Sequence, residues 1–229
     1  TNHKSGYPYI YLNDGQGNFT ELNSIEKFNG LEEITGDKSD NEAIIYNLTT
    51  RLFDIDNDGN LDLLFGGGGY KDVEGQFTPK PSIYWGNENL NFDLNNPTEL
   101  LPSEELQVEI QNTYEINRGL AIYGFSYFDY NNDGNQDILV IGTEDTYGST
   151  YLLFRNNGDR TFTEVTKEKI PQYSNTINER GGFAYNVFVN DIDNDGDFDL
   201  IPDFPYSDFG IDGFYFENTG GQFVRRELD

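Results

Sequence analysis

The chain contains no cysteine, which removes disulfides, thiol chemistry and thiolate metal sites together. Its one histidine, His3, stands near the N-terminus, leaving almost no material for a histidine-based triad or a histidine metal site. Basic residues are scarce, 14 against 41 acidic ones, for a formal net charge of −27. A phosphate backbone would be repelled by that excess, and no Lys/Arg cluster offers a local exception, so nucleic acid is excluded as a partner. There is no apolar run of about 20 residues, so no membrane insertion is expected. The tract Gly66-Gly67-Gly68-Gly69 lacks the Gly-Lys-Ser/Thr ending of a phosphate loop and opens no helix; it reads as a flexible connection. Carboxylate pairs such as Glu32-Glu33, Glu104-Glu105 and Glu144-Asp145 read as solvated faces in so acidic a chain, and no catalytic residue is expected. The chain is not disordered either: 35% hydrophobic and 15% aromatic residues are enough to build a core.

What is abundant is aspartate at alternate positions. Asp54-Ile55-Asp56-Asn57-Asp58-Gly59-Asn60-Leu61-Asp62 recurs as Asp129-Tyr130-Asn131-Asn132-Asp133-Gly134-Asn135-Gln136-Asp137 and as Asp191-Ile192-Asp193-Asn194-Asp195-Gly196-Asp197-Phe198-Asp199. Carboxylates so crowded repel unless a cation lies among them, and the glycine at the sixth place permits the sharp turn that wraps a hard cation in oxygens. Three Ca²⁺ sites are therefore expected. Side chains would ligate from positions one, three, five and nine, and the carbonyl from position seven. The first site takes Asp54, Asp56, Asp58, Asn60 (carbonyl) and Asp62; the second Asp129, Asn131, Asp133, Asn135 (carbonyl) and Asp137; the third Asp191, Asp193, Asp195, Asp197 (carbonyl) and Asp199. The second carries Asn131 where the others carry aspartate, so it should bind most weakly. These are not EF-hands, because position twelve falls on Phe65, Val140 and Pro202, and the flanks read as strands.

A second unit follows each loop. Tyr151 to Thr163 reads as strand, Asn-Gly turn, strand, with counterparts at Tyr9–Thr20, Ile83–Phe92 and Phe214–Phe223. Strand, acidic loop, strand, long connection, strand, turn, strand, recurring about every 60–75 residues, predicts an all-β fold of four-stranded antiparallel propeller blades.

Phe128-Asp129 to Val140, Ile141-Gly142-Thr143 and Gly148-Ser149-Thr150-Tyr151-Leu152 carry a closer likeness. The pattern resembles the FG-GAP repeat of integrin α-subunit propellers and the bacterial VCBS-type repeat, over nearly the whole chain. The resemblance implies a Ca²⁺-stapled β-propeller, usually extracellular, without fixing one function.

Blade counting predicts one propeller segment over 1–229, with an outer half-blade at 1–22 and blades at about 46–93, 121–163 and 184–227. Three and a half blades cannot close a ring, so the segment is expected to belong to a larger propeller whose remaining blades lie in a longer chain. The start at Thr1 without a signal-like stretch agrees with a processed or excised product. The acidic loops and hairpin turns would share one face. The opposite face collects the connections 23–45, 66–81, 94–118, 142–149, 164–182 and 202–212, with Tyr70, Phe77, Tyr147, Phe204, Tyr206 and Phe209 available to a ligand. The reading is a secreted, extracellular or cell-surface adhesion module, non-catalytic, meeting a protein or glycan ligand. The alternatives are a carbohydrate-active propeller, lectin-like or part of a polysaccharide lyase, and a structural spacer of a large secreted protein; Trp85 could stack a sugar ring, but packing between blades is the better reading for it.

Overall fold

The aromatic and β-branched runs beside the acidic loops do form strands in the computed structural model, which describes residues 10–22, 45–69, 80–114, 121–143, 148–171, 174–176, 184–203 and 213–227. Strands β1 (Ile10–Asn13) and β2 (Phe19–Leu22) make an isolated hairpin. Strands β3 (Ile45–Phe53), β4 (Asp62–Gly69) and β5 (Ser82–Tyr84) follow. Next come the short pair β6 (Gly86–Asn87) and β7 (Asn91–Phe92), strand β8 (Thr98–Glu99) and helix α1 (Glu104–Tyr114). A second run comprises β9 (Ala121–Phe128), β10 (Asp137–Thr143), β11 (Gly148–Asn156), β12 (Phe162–Glu164), the single-turn helix α2 (Thr166–Lys169) and β13 (Ser174–Thr176). The last comprises β14 (Val187–Asn190), β15 (Asp199–Pro202), β16 (Phe214–Asn218) and β17 (Phe223–Glu227).

The architecture is all-β, with three antiparallel sheets that each run four strands in sequence order along their main path: β3-β4-β5-β8, β9-β10-β11-β12 with β13 added against β11, and β14-β15-β16-β17. In each, an acidic loop closes the first hairpin in one register, pairing Phe53 with Asp62, Phe128 with Asp137 and Asn190 with Asp199.

Side-chain alternation shows how the sheets stack. Successive residues of a strand point to opposite faces. In β10, Ile138 and Val140 enter a core shared with Ile55, Leu64 and Ile83 of the first sheet, whereas Leu139 and Ile141 enter one shared with Leu200, Phe214 and Phe216 of the third. Strand β11 does the same with Leu152 and Phe154 on one side and Tyr151 and Leu153 on the other. The second sheet is therefore buried on both faces, between its neighbours.

Three connections differ from the sequence reading, and one of them, 164–182, holds α2 and β13, which pairs with β11. The tract Gly66–Gly69 is the second half of β4, paired with β3, and not a flexible connection. A Cβ on Gly66 would stand 2.7 Å from Phe125 Cζ and 2.8 Å from Ile122 Cγ2, so the close approach of the second sheet explains the glycine. The stretch expected as the long connection 94–118 holds β8 and α1. Ser103 caps that helix, its Oγ accepting from Leu106 N at 3.3 Å, and Leu106 and Ile110, one turn apart, bury against the first core. The fourth strand of the first sheet is thus β8, beyond residue 93, with the β6–β7 hairpin looped out before it. No helix among the described residues is long and apolar enough to cross a membrane.

Candidate metal centres

Each acidic loop is built by its own backbone. Position four is asparagine in all three loops, at φ 58° (Asn57), 57° (Asn132) and 62° (Asn194). The glycine at position six follows at 89°, 89° and 99°. Asparagine is the side-chain-bearing residue that tolerates left-handed backbone best, so the Asn-Asp-Gly segment wraps the loop tightly. The repeated asparagine is visible in the sequence; the left-handed turn it makes is not.

The wrap turns backbone N–H groups inward. Asp54 accepts from Asp58 N at 3.0 Å and Gly59 N at 2.9 Å; Asp129 accepts from Asp133 N at 3.0 Å and Gly134 N at 2.7 Å; Asp191 accepts from Asp195 N and Gly196 N, both at 3.1 Å. Position five accepts from position seven in each loop, at 2.8 Å for Asp58, 2.8 Å for Asp133 and 2.9 Å for Asp195. Donors fixed on the carboxylates hold them side by side despite their repulsion.

Two loops bring three carboxylates together. Oxygens of Asp54, Asp56 and Asp58 lie within 4.8 Å of one another, and so do oxygens of Asp191, Asp193 and Asp195. These clusters could hold a divalent ion. The expectation of three such sites is corrected to two acidic clusters among the described residues. In the middle loop Asn131 stands at position three, and its Nδ2 donates to Asp133 Oδ2 at 3.0 Å, so an amide takes the place of the third carboxylate.

Position nine is not one of the three carboxylates of either cluster. Asp62, Asp137 and Asp199 are fully buried. Each ties its loop to the next hairpin, one oxygen accepting from position two (Ile55 N 2.9 Å, Tyr130 N 3.1 Å, Ile192 N 2.8 Å). The other accepts from the end of the sheet's third strand or just beyond it (Gly86 N 2.7 Å, Asn156 N 2.8 Å, Asn218 N 2.8 Å). Each oxygen keeps a second lone pair. Burial pushes Asp62 up to about 6 and Asp137 up to about 7, against the pull of those N–H donors. At position seven, the side chain of Asp197 accepts from Asn132 Nδ2 at 2.7 Å and Gly220 N at 2.8 Å, joining two acidic loops.

The two clusters differ in what already neutralises them. Arg160, in the turn between β11 and β12, places Nε 2.6 Å from Asp56 and a terminal nitrogen 3.0 Å from Asp58. It lies over Trp85, 4.9 Å from the ring centroid, and its carbonyl accepts from Thr98, whose hydroxyl in turn accepts from the Trp85 indole at 2.9 Å. Burial disfavours the charge on Arg160, yet its bond to Asp56 and the charges of Asp56, Asp58 and Asp62 outweigh this and hold it above its usual value. The guanidinium is a resident cation on the first cluster. Asp193, by contrast, is raised by desolvation and then by the charges of Asp195, Asp199 and Glu217. Trp85 is buried under Arg160, not open to a sugar ring.

Other candidates lie outside the described residues: His3, Glu32, Glu33, Tyr70, Phe77, Glu144, Asp145, Tyr147, Phe204, Tyr206 and Phe209. Glu104 and Glu105 occupy the first turn of α1, where acidic residues favour a helix start.

A family model described as FG-GAP-like repeat matches residues 129–201. The FG-GAP-like match opens on the first aspartate of the middle loop, takes in the β11–β12 hairpin and ends within β15, about one period of the repeat. No curated protein matches the chain.

Proposed function

We propose that this chain is a Ca²⁺-stabilised, non-catalytic binding module of the extracellular space, built as part of a β-propeller. The observation that carries the reading is the pair of aspartate triads, each held by the backbone N–H groups of its own loop in the same pattern. Such loops gather oxygens and negative charge and offer no nitrogen or sulfur ligand, the donor set of a hard cation. The three sheets serve as blades over about 45–99, 121–164 and 187–227, with the β1–β2 hairpin as an outer half-blade. Asp54, Asp56, Asp58 and Asp62, with the carbonyl of Asn60, hold one ion. Asp191, Asp193, Asp195 and Asp199, with the carbonyl of Asp197, hold another. Asp129, Asn131, Asp133 and Asp137, with the carbonyl of Asn135, form a weaker third. Cytosolic free Ca²⁺ would leave loops of ordinary extracellular affinity empty, Kd about 10⁻⁴–10⁻³ M, which supports a place outside the cell. A protein or glycan ligand meets the face opposite the loops. Calorimetric titration of chelated protein with Ca²⁺ tests the reading. Two ions bound in the millimolar range or below support it, and heat indistinguishable from dilution refutes it.

A further inference from the structure

Neighbouring sheets are fastened by their turns. Asn156, just before the β11–β12 turn, closes that turn by accepting from Gly158 N at 2.9 Å, and its Nδ2 reaches Ile55 O, at 3.5 Å, in the first acidic loop. Asn218 closes the β16–β17 turn by accepting from Gly221 N at 2.8 Å, and its Nδ2 donates to Tyr130 O at 2.9 Å in the middle loop. Each turn ends on a backbone bond, from Asn157 N to Thr161 O at 3.0 Å and from Thr219 N to Gln222 O at 2.8 Å. The residue just before that last carbonyl has left-handed backbone in both turns, with φ 65° at Arg160 and 86° at Gly221. The β1–β2 turn, closed by Asp14 N on Asn18 O at 3.1 Å, has Gly17 in the same place at 91°. Glycine suits this backbone and a long side chain does not. Arg160 is the exception of the three.

Its side chain accounts for the exception. Both turns meet the preceding acidic loop at position three. A Cβ on Gly221 would lie 3.6 Å from Asn131 Cβ, whereas Arg160 places Nε 2.6 Å from Asp56. Where position three is asparagine the turn carries glycine; where it is aspartate the turn carries a guanidinium, kept there at a cost in backbone strain. The oxygens it takes are particular as well. Loop N–H groups occupy Oδ1 of Asp56 and of Asp58, from Asp58 N at 3.3 Å and Asn60 N at 2.8 Å. The guanidinium binds Oδ2 of both. Those are the oxygens that the loop's own backbone leaves to a cation.

The remainder of Arg160 is anchored without the carboxylates. Its carbonyl accepts from the Thr98 hydroxyl at 3.1 Å, and that hydroxyl accepts from the Trp85 indole at 2.9 Å. Phe162, two residues on, packs against the core that contains Ile55. The turn is therefore seated on the first sheet by contacts that do not involve the guanidinium. The guanidinium lies over the Trp85 ring, 4.9 Å from its centroid, on a side chain half open to solvent. It is the part that can leave.

We propose that Arg160 is an exchangeable counter-ion: its guanidinium and a Ca²⁺ ion hold Asp56 and Asp58 in turn, never together. The inference rests on the Ca²⁺ reading of the first loop and adds how that loop is regulated. A divalent ion among the same oxygens would stand beside the guanidinium, and two cations so close repel strongly. The competition is reciprocal, so Ca²⁺ loosens the guanidinium by the factor by which the guanidinium weakens Ca²⁺. The first loop then fills at a higher Ca²⁺ concentration than its three carboxylates alone would set. When Ca²⁺ is scarce the cluster is still neutralised, and the seam between the first and second sheets stays closed.

Trp85 is the only tryptophan of the chain, and its emission reports the exchange. Chelated, unaltered protein is titrated with Ca²⁺ while that emission is followed. Departure of the guanidinium from the ring should change it saturably, over the concentration range in which calorimetry records Ca²⁺ binding. Two further proteins both carry Asp195→Ala, which removes the third loop's triad from the heat signal, and one of them also carries Arg160→Gln. The protein with Arg160→Gln should bind Ca²⁺ at the first loop about two- to fivefold tighter than its companion. It should also show little of the emission change, because no guanidinium is there to leave. Calcium heat with an unmoved Trp85 emission in the unaltered chain overturns the exchange and leaves the Ca²⁺ reading standing. Equal or weaker binding after Arg160→Gln does the same. No calcium heat in any of the three proteins overturns both.

Discussion

Position three decides how much charge an acidic loop collects, and the three loops hold aspartate, asparagine and aspartate there. Converting Asn131→Asp adds the missing carboxylate and removes the amide donor on Asp133. The middle loop should then bind Ca²⁺ about tenfold tighter, ~1.4 kcal/mol, read by calorimetry. Arg160→Gln acts on the other cluster. Its ion pairs with Asp56 and Asp58 are half open to solvent, so losing them frees about 0.5–1 kcal/mol for a metal. The first loop should gain about two- to fivefold in Ca²⁺ affinity while the third is unchanged. Buried Asp137 sets a pH dependence of its own. Its folded value near 7 lies above its ordinary 3.8, so its stabilising contribution is complete below about pH 4 and is lost as pH rises through about 7. Asp62, near 6, acts in the same direction. Urea midpoints of the chelated protein should fall from about pH 4 to about pH 7; a rising midpoint would mean that the N–H donors outweigh burial.

At the scale of the element, the asparagine turns fasten one sheet to the next. Asn218→Ala would leave the Tyr130 carbonyl and the Gly221 N–H without their partner in a buried setting, a loss of about 1–3 kcal/mol for each unmet group and a visibly lower denaturation midpoint. Asn13→Ala, on an exposed hairpin, should leave the midpoint almost unchanged. The strands that carry these turns were legible in the sequence, because β-branched and aromatic runs such as Ile138–Ile141 met a Gly-containing loop at a fixed distance. Helix α1 was not, since only Leu106 and Ile110 mark its buried face in an acidic, polar stretch. The tract Gly66–Gly69 misleads for the opposite reason: glycine speaks for a loop locally, and only the side chains of Phe125 and Ile122 from the next sheet show why a strand needs it. The acidic loops were plain to see, whereas Arg160 on Asp56 joins residues 104 apart in sequence, beyond the reach of any local pattern.

Across the whole molecule, apolar contact between stacked sheets has to hold together a chain of net charge −27. The acidic loops concentrate part of that charge at the tip of each sheet's first hairpin, where repulsion works against the fold unless a cation is present. Each occupied site at tenfold excess over its Kd stabilises the folded chain by about 1.4 kcal/mol, so the two triads together contribute about 3 kcal/mol. Against a typical stability of about 5–15 kcal/mol this is a large share. Thermal unfolding in EDTA and in millimolar Ca²⁺, with Mg²⁺ as the control for ionic strength, measures it directly. The account predicts a Tm about 6–12 °C higher in Ca²⁺, a smaller rise in Mg²⁺, and the loss of roughly half the Ca²⁺ effect in Asp195→Ala. Superimposable melting curves in EDTA and Ca²⁺ would contradict it.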